Sequence, residues 1–263
     1  MVDFDDIDDW EAERSAALRP HSNSFGLKLA AAAPEYIEDA RDILFDLTNR
    51  DVIIDATLAW IRSIEIVGYH GSRLTDEEIA SVRVDGLVPL KAEGRRDRLV
   101  RALSPHPKWN EVANQLDATI HNHGPGGVAG GREGQVHLTL SKAGLISRFS
   151  HYLTHGAEFD QRVAYALLGP EGKQFLARDG HSVVIKVSVP GPMALEAAHP
   201  HFPIDSLRAK GDVPNLVNDF LEAWSFRQAY RGFQSRVLKV DCGMVFRSFV
   251  PAAWIVAFDT LAM

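Results

Sequence analysis

The chain has 263 residues, of which 46% are hydrophobic and 24% are charged, the composition of an ordinary globular protein with a sizeable core. Its formal net charge of −7 means that the surface as a whole does not attract polyanions. The single cysteine, Cys242, excludes an internal disulfide and favours a reducing compartment. No apolar run approaches the ~20 residues of a membrane span, and the Asp-rich N-terminus lacks the order of a signal peptide. We therefore expect a cytoplasmic protein with no membrane partner.

The first 60 residues are predicted to be helical and to form an extension of the remaining domain, residues 61–263. Pro34 suits a first helical turn, and apolar residues follow it at helical spacing: Ile37, Ala40, Ile43, Leu44 and Leu47. This zone carries no catalytic signal.

An apolar run then predicts a buried strand that ends in the motif Tyr69-His70-Gly71-Ser72. Gly71 lets the backbone approach a ligand with no Cβ in the way. His70 offers a donor and an acceptor in one ring, and Ser72 adds a hydroxyl. The spacing alone also fits a strand that ends in a glycine turn, with His70 as a core histidine.

A helix and a long loop are predicted after this strand. Thr75 and Glu78 form a capping box that begins the helix. Residues 91–134 are rich in Arg, Asn and Gly, and we expect them to be a functional loop that acts on the acceptor. Their basic and aromatic residues fit a phosphate backbone, an acidic protein surface or solvent alone: Arg95, Arg96, Arg98, Arg101, Trp109 and His121.

The second half of the chain is predicted to supply most strands. We expect Ser141 to cap a short helix, a helix over 159–168 to stop at Gly169-Pro170, and another helix over 213–230. Strands are expected over residues 136–141, 182–189, 237–240, 244–246 and 254–258. Helices early and strands late predict an α+β fold with two small, mostly antiparallel sheets.

The Tyr69-His70-Gly71-Ser72 motif, with the helix and the Asp85-Gly86-Leu87 turn after it, resembles the first motif of ADP-ribosyltransferases of the His-Tyr-Glu type. This family includes diphtheria-toxin-like and poly-ADP-ribose-polymerase-like enzymes and many bacterial toxins. The resemblance implies a split two-sheet fold with NAD as co-substrate. It implies that His70 binds the nicotinamide ribose, that Gly71 holds the carboxamide through its backbone, and that Ser72 supports the ribose. Tyr69 is a further candidate for NAD binding.

The family's second and third motifs supply a stacking Tyr and a catalytic Glu. The resemblance assigns the stacking role to Tyr152, although the residues alone also fit a half-buried core aromatic at this position. At the late-strand place where the family carries its Glu, this chain carries Gln234. Either Glu158 supplies the carboxylate, which we favour because Gly156 frees the backbone beside it, or Gln234 replaces it and turnover is weakened. A Glu at a helix N-terminus is also favoured by the helix dipole alone.

The function expected from the resemblance is transfer of ADP-ribose from NAD to a macromolecule, in a bacterial toxin or defence effector. Glu158 would stabilise the transition state. The alternatives are a non-catalytic module that binds a nucleotide or a partner, and an NAD glycohydrolase. A metal site is a weaker interpretation, because His151 and His155 share the i, i+4 spacing but no His-Glu-x-x-His motif is present. The sequence does not choose between protein and nucleic acid as the acceptor.

Overall fold

The computed structural model describes residues 1–18, 25–124 and 134–262. The helices are α1 (Ile7–Leu18), α2 (Phe25–Ala32), α3 (Ile37–Leu47), α4 (Arg50–Ser63), α5 (Asp76–Asp85), α6 (Arg96–Leu103), α7 (Trp109–Val112), α8 (Leu116–His123), α9 (Lys142–Arg148), α10 (Ser150–His155), α11 (Glu158–Leu176), α12 (Gly191–Ala198), α13 (Ile204–Ala209) and α14 (Asn215–Ala229). The strands are β1 (Glu65–Leu74), β2 (Val136–Thr139), β3 (His181–Pro190), β4 (Gly243–Phe246) and β5 (Ile255–Leu261). No described helix is long and apolar enough to cross a membrane.

The strands of the described residues form one open antiparallel sheet in the order β4-β2-β1-β3-β5. The expected α+β class is confirmed, but there is one sheet where two were expected. Residues 237–240 were expected to be a strand, but Val237 and Leu238 belong to a 3-10 helix, Ser235–Leu238, and Lys239 after it has a left-handed backbone with φ of 49°. A left-handed residue breaks the extended backbone of a strand, so the apolar residues of this segment did not form one.

The chain divides into two compact units, each built from three segments. Unit 1 comprises Met1–Gly68, Thr139–Arg148 and Ser188–Val245. It contains α1 to α4, so most of the described residues among the first 60 are helical, as expected. The expected boundary at residue 60 falls inside the unit. The predicted helix over 37–47 begins at Ile37 and not at Pro34, because the Asp39 carboxylate accepts a hydrogen bond from the backbone N–H of Tyr36 at 3.1 Å.

Unit 1 is built around a cluster of aromatic rings. The Phe220 ring lies edge-on to three others, with centroid distances of 5.3 Å to Phe4, 5.1 Å to Trp10 and 5.3 Å to Trp60. All four side chains are buried. Edge-to-face pairs of this kind add to the free energy gained from burial alone.

Unit 2 comprises Tyr69–Leu138, Phe149–Val187 and Phe246–Met263. The predicted capping box begins α5: the Thr75 hydroxyl accepts from the Glu78 N–H at 3.3 Å, and the Glu78 carboxylate accepts from the Thr75 N–H at 2.9 Å. The predicted stop at Gly169-Pro170 is a kink, because Gly169 has a φ of 64° and the helix resumes through Leu176. Strands β3 and β5 pair with Ile185 opposite Phe258.

The expected long loop over 91–134 is wrong for its described part. Residues 96–123 contain α6, α7 and α8, whose apolar side chains join those of α11 in one hydrophobic cluster, including Leu99, Leu103, Leu116, Ile120 and Val163. Arg96, Arg101 and the asparagines of this segment are exposed, whereas Arg98 is buried. Residues 125–133 lie outside the described residues.

Candidate functional site

A cavity of about 300 Å³ lies within unit 2. Its wall is formed by strand β1, helix α5 and the turn after it, the segment that carries Arg95, the end of α8, the start of β2, helix α10 and the first two turns of α11. Its volume is at the lower end of the range for small-molecule sites, roughly 300–1,000 Å³. Of the 21 lining residues, eleven are polar or charged, eight are apolar and two are glycines, so the cavity offers several groups that could orient a ligand against an apolar wall.

Strand β1 brings the His-Gly-Ser motif to this wall, since His70, Gly71 and Ser72 all line the cavity. The strand continues to Leu74, four residues beyond the end expected at His70. Tyr69 is 4% exposed and is not among the lining residues. Side chains alternate between the two faces of a strand, and this places Tyr69 and His70 on opposite faces.

His70 is held as a neutral ring. Its Nδ1 lies 2.9 Å from the backbone carbonyl of His137 on the neighbouring strand β2. A carbonyl oxygen only accepts, so Nδ1 carries the proton and Nε2 is the acceptor of the neutral tautomer. Burial lowers the pKa of His70, and the hydrogen bond to His137 opposes this effect. Nε2 of the neutral ring can therefore accept a hydrogen bond from a ligand hydroxyl.

Tyr152 and Glu158 line the same cavity and touch each other. The Tyr152 hydroxyl donates to Glu158 Oε1 at 2.8 Å. Two cationic or potentially cationic groups lie further from the carboxylate, with Nε2 of His151 at 3.6 Å and Nη2 of Arg162 at 3.8 Å. Between the two residues, Gly156 has a φ of 78°, a conformation that favours glycine and turns the chain from α10 into α11.

A buried ion-pair network lies against the cavity. Arg95 and Arg98 both contact the Asp160 carboxylate, which is fully buried. Arg98 also pairs with Glu78 and donates to the backbone carbonyl of Arg73 at 2.6 Å. Arg95 and Glu78 are themselves lining residues of the cavity. The network thus fixes α5, α6, α11 and the end of β1 to one another.

Sequence reasoning missed several polar groups on the cavity wall. The structure adds Glu78, Arg95, His123, Gln135, His137 and Arg162 to the five motif residues. The arginine-rich stretch was visible in the sequence. The place of Arg95 in the cavity depends on an ion pair with a residue far away along the chain, Asp160, which lies 65 positions later.

Gln234, the other candidate for the third motif, is not among the cavity's lining residues. It belongs to unit 1, where its amide donates to the Asp8 carboxylate at 3.2 Å. Among the described residues, no group of three His, Cys, Asp or Glu side chains is arranged to hold a metal ion.

The arginines expected to contact the acceptor are paired with carboxylates. Arg96 contacts Asp117 at 2.8 Å, and Arg101 contacts Asp179 at 3.0 Å. Arg95 and Arg98 contact Asp160, as described above. Paired guanidinium groups offer less charge to a polyanion than the bare sequence suggested.

Comparisons with protein-family models, curated proteins and solved structures found no match to this chain.

Proposed function

We propose that unit 2 binds NAD in this cavity and transfers ADP-ribose to a macromolecular acceptor, on a fold of the ADP-ribosyltransferase type. The observation that carries the proposal is the convergence of three separate stretches of sequence on one cavity. His70, Gly71 and Ser72 come from β1, Tyr152 from α10, and Glu158 from the start of α11. The family resemblance selects His70, Gly71, Ser72 and Tyr152 from the sequence alone, and Glu158 is the carboxylate that we favoured over Gln234 for the third motif.

Each group offers chemistry suited to NAD. The acceptor nitrogen of His70 fits a ribose hydroxyl, and the backbone of Gly71 fits the nicotinamide carboxamide. The Tyr152 ring is a flat, electron-rich surface for the pyridinium cation, an attraction of roughly 0.5–2 kcal/mol. We assign Glu158 to the reacting carbon, because a carboxylate stabilises positive charge that develops there.

The reaction breaks the bond between the nicotinamide nitrogen and the anomeric carbon of the ribose. The bonding electron pair stays with nicotinamide, which leaves as a neutral molecule, and positive charge develops at the anomeric carbon. A lone pair of the acceptor then forms the new bond to that carbon. The acceptor proton passes to Glu158 or to water. The Tyr152 hydroxyl keeps the Glu158 carboxylate in place through their 2.8 Å hydrogen bond.

The proposal is tested by incubating the full chain with NAD labelled in its adenine ring, with and without a cell lysate. We expect free nicotinamide together with label in the protein or nucleic-acid fraction of the lysate. Release of nicotinamide with label only in free ADP-ribose would replace transfer by NAD hydrolysis. Binding of NAD without nicotinamide release would identify a non-catalytic module, and absence of binding would refute the NAD site.

A further inference from the structure

The Arg95 side chain is fixed in a single orientation at the cavity wall. Its Nε donates to Asp160 Oδ1 at 3.0 Å, and its Nη2 donates to Asp160 Oδ2. Asp160 is fully buried near the start of α11. A two-point contact between planar groups holds the guanidinium rigidly, as a single contact would not.

This contact leaves one nitrogen of Arg95 for a ligand. No hydrogen bond to its Nη1 is found among the described residues, and 22% of the side chain is exposed. Burial works to lower the pKa of Arg95, but the Asp160 carboxylate outweighs it and the pKa is raised. The group is therefore a permanent cation on the cavity wall.

The charges around Arg95 leave a positive balance. Three carboxylates, Glu78, Asp160 and Asp179, face four guanidinium groups of the same network, so that one positive charge remains (4 − 3 = 1): Arg73, Arg95, Arg98 and Arg101. A ligand with acceptor oxygens would satisfy the remaining Nη1 of Arg95.

We infer that Arg95 is the phosphate-binding residue of the cavity and takes the diphosphate of the nucleotide substrate, with Asp160 as its positioning residue. The identity of that nucleotide as NAD rests on the proposed function; the phosphate contact does not. Guanidinium groups match the geometry of phosphate oxygens, and such contacts are about twice as strong as neutral hydrogen bonds.

The test measures binding to the full chain by calorimetry with three probes: ADP, inorganic diphosphate and nicotinamide riboside. The variant is Arg95→Met combined with Asp160→Asn, which removes both charges and leaves no unpaired carboxylate. We expect it to lose about 10- to 100-fold in affinity for ADP and for diphosphate. Affinity for nicotinamide riboside, which lacks the diphosphate, should not change.

Two further variants complete the design. Arg96→Met removes a neighbouring arginine that lies outside this network and does not line the cavity, and it should leave affinity for ADP unchanged. Asp160→Asn alone should raise the KM for NAD and leave kcat unchanged, since it affects the orientation of Arg95 and not the reacting carbon. Loss of nicotinamide riboside binding along with ADP binding would indicate a general structural role and overturn the inference.

The outcomes separate this inference from the proposed function. If the double variant binds ADP as tightly as the wild type while NAD is still consumed, Arg95 is not the phosphate-binding residue, and the proposed function stands. If ADP binds in an Arg95-dependent way but no nicotinamide is ever released from NAD, the phosphate contact stands and the transferase proposal fails. If the wild type binds neither ADP nor diphosphate, the phosphate contact is wrong.

Discussion

The two units bury their large side chains in opposite ways. Unit 1 surrounds Phe220 with the rings of Phe4, Trp10 and Trp60, and a buried arginine, Arg14, lies 5.6 Å from the centroid of the Trp60 ring. Unit 2 instead buries Arg98 and Asp160 together as part of an extended ion-pair network. Aromatic packing gains free energy from burial and ring contacts.

A buried ion-pair network gains much less. The cost of removing two charges from water cancels most of their attraction, so that apolar residues of the same volume are often as stabilising. What the network of unit 2 supplies is fixed orientation of charged groups beside a cavity. In this chain, therefore, the candidate site lies beside the buried, paired charges and not beside the best-packed side chains.

The largest effect is expected from breaking the network. Asp160→Ala removes the buried carboxylate that pairs with both Arg95 and Arg98. We expect a loss of about 3–5 kcal/mol in the free energy of unfolding. Urea unfolding measures it. The matched control is Asp179→Ala, whose partner Arg101 is 44% exposed, and it should cost about 1 kcal/mol or less. Equal losses in the two variants would mean that burial of the pair does not matter.

The next effect concerns the carboxylate at the cavity. Glu158→Gln keeps the shape of the side chain and removes its charge, so we expect a decrease in kcat of about 100-fold with NAD affinity largely retained, because the charge acts mainly in the transition state. Rates of nicotinamide release and NAD titrations measure the two quantities. Glu111→Gln, an exposed position on α7, is the control. A fully active Glu158→Gln together with an inactive Gln234→Ala would reverse the assignment of the third motif.

Local signals in the sequence predicted much of this fold. The Thr75 capping box begins α5 as expected, and the Ser141 hydroxyl accepts from the Gly144 N–H at 2.9 Å at the start of α9, the predicted short helix. The strand expected over 182–189 is β3, and the helix expected over 213–230 is α14. Each of these signals depends on residues within a few positions of one another, where caps and periodicity act.

What depends on distant residues was not predicted. The polar composition of residues 91–124 favoured a loop, but burial of Leu99, Leu103 and Leu116 against α11 makes the segment helical. Arg95 is brought to the cavity by Asp160, and nothing local to either residue indicates the pairing. Tertiary contacts of this kind override composition, so the motif residues of the site were visible in the sequence and the charged groups beside them were not.

A smaller effect is expected from the pH dependence of stability at a buried carboxyl group in unit 1. In unit 1, burial raises the pKa of Asp219 from 3.8 to about 7, with Glu222 and Asp241 adding to the shift and the Cys242 thiol opposing it. The folded state then binds more protons than the unfolded state between these values, so stability falls as the pH rises from about 4 to 7. Asp219→Asn removes this penalty. We expect the variant to exceed the wild type by on the order of 1–3 kcal/mol at pH 8 and to show no such gain near pH 4. Urea midpoints at the two pH values measure the difference, and an equal gain at both would contradict the assignment.

The smallest effect is expected at the surface of the arginine-rich stretch. Arg96 pairs with Asp117 at 2.8 Å, but the two side chains are 54% and 71% exposed, so that water and salt screen the pair. Arg96→Ala should therefore cost no more than about 0.5 kcal/mol in stability. Since Arg96 does not line the cavity, nicotinamide release in the absence of an acceptor should also be unchanged. Transfer to the macromolecule is measured as well and compared with that of variants at Arg95, one position earlier. Unchanged transfer would mean that the stretch acts only through the residues it turns inward, whereas a selective loss of transfer would restore the hypothesis that its outer face binds the acceptor.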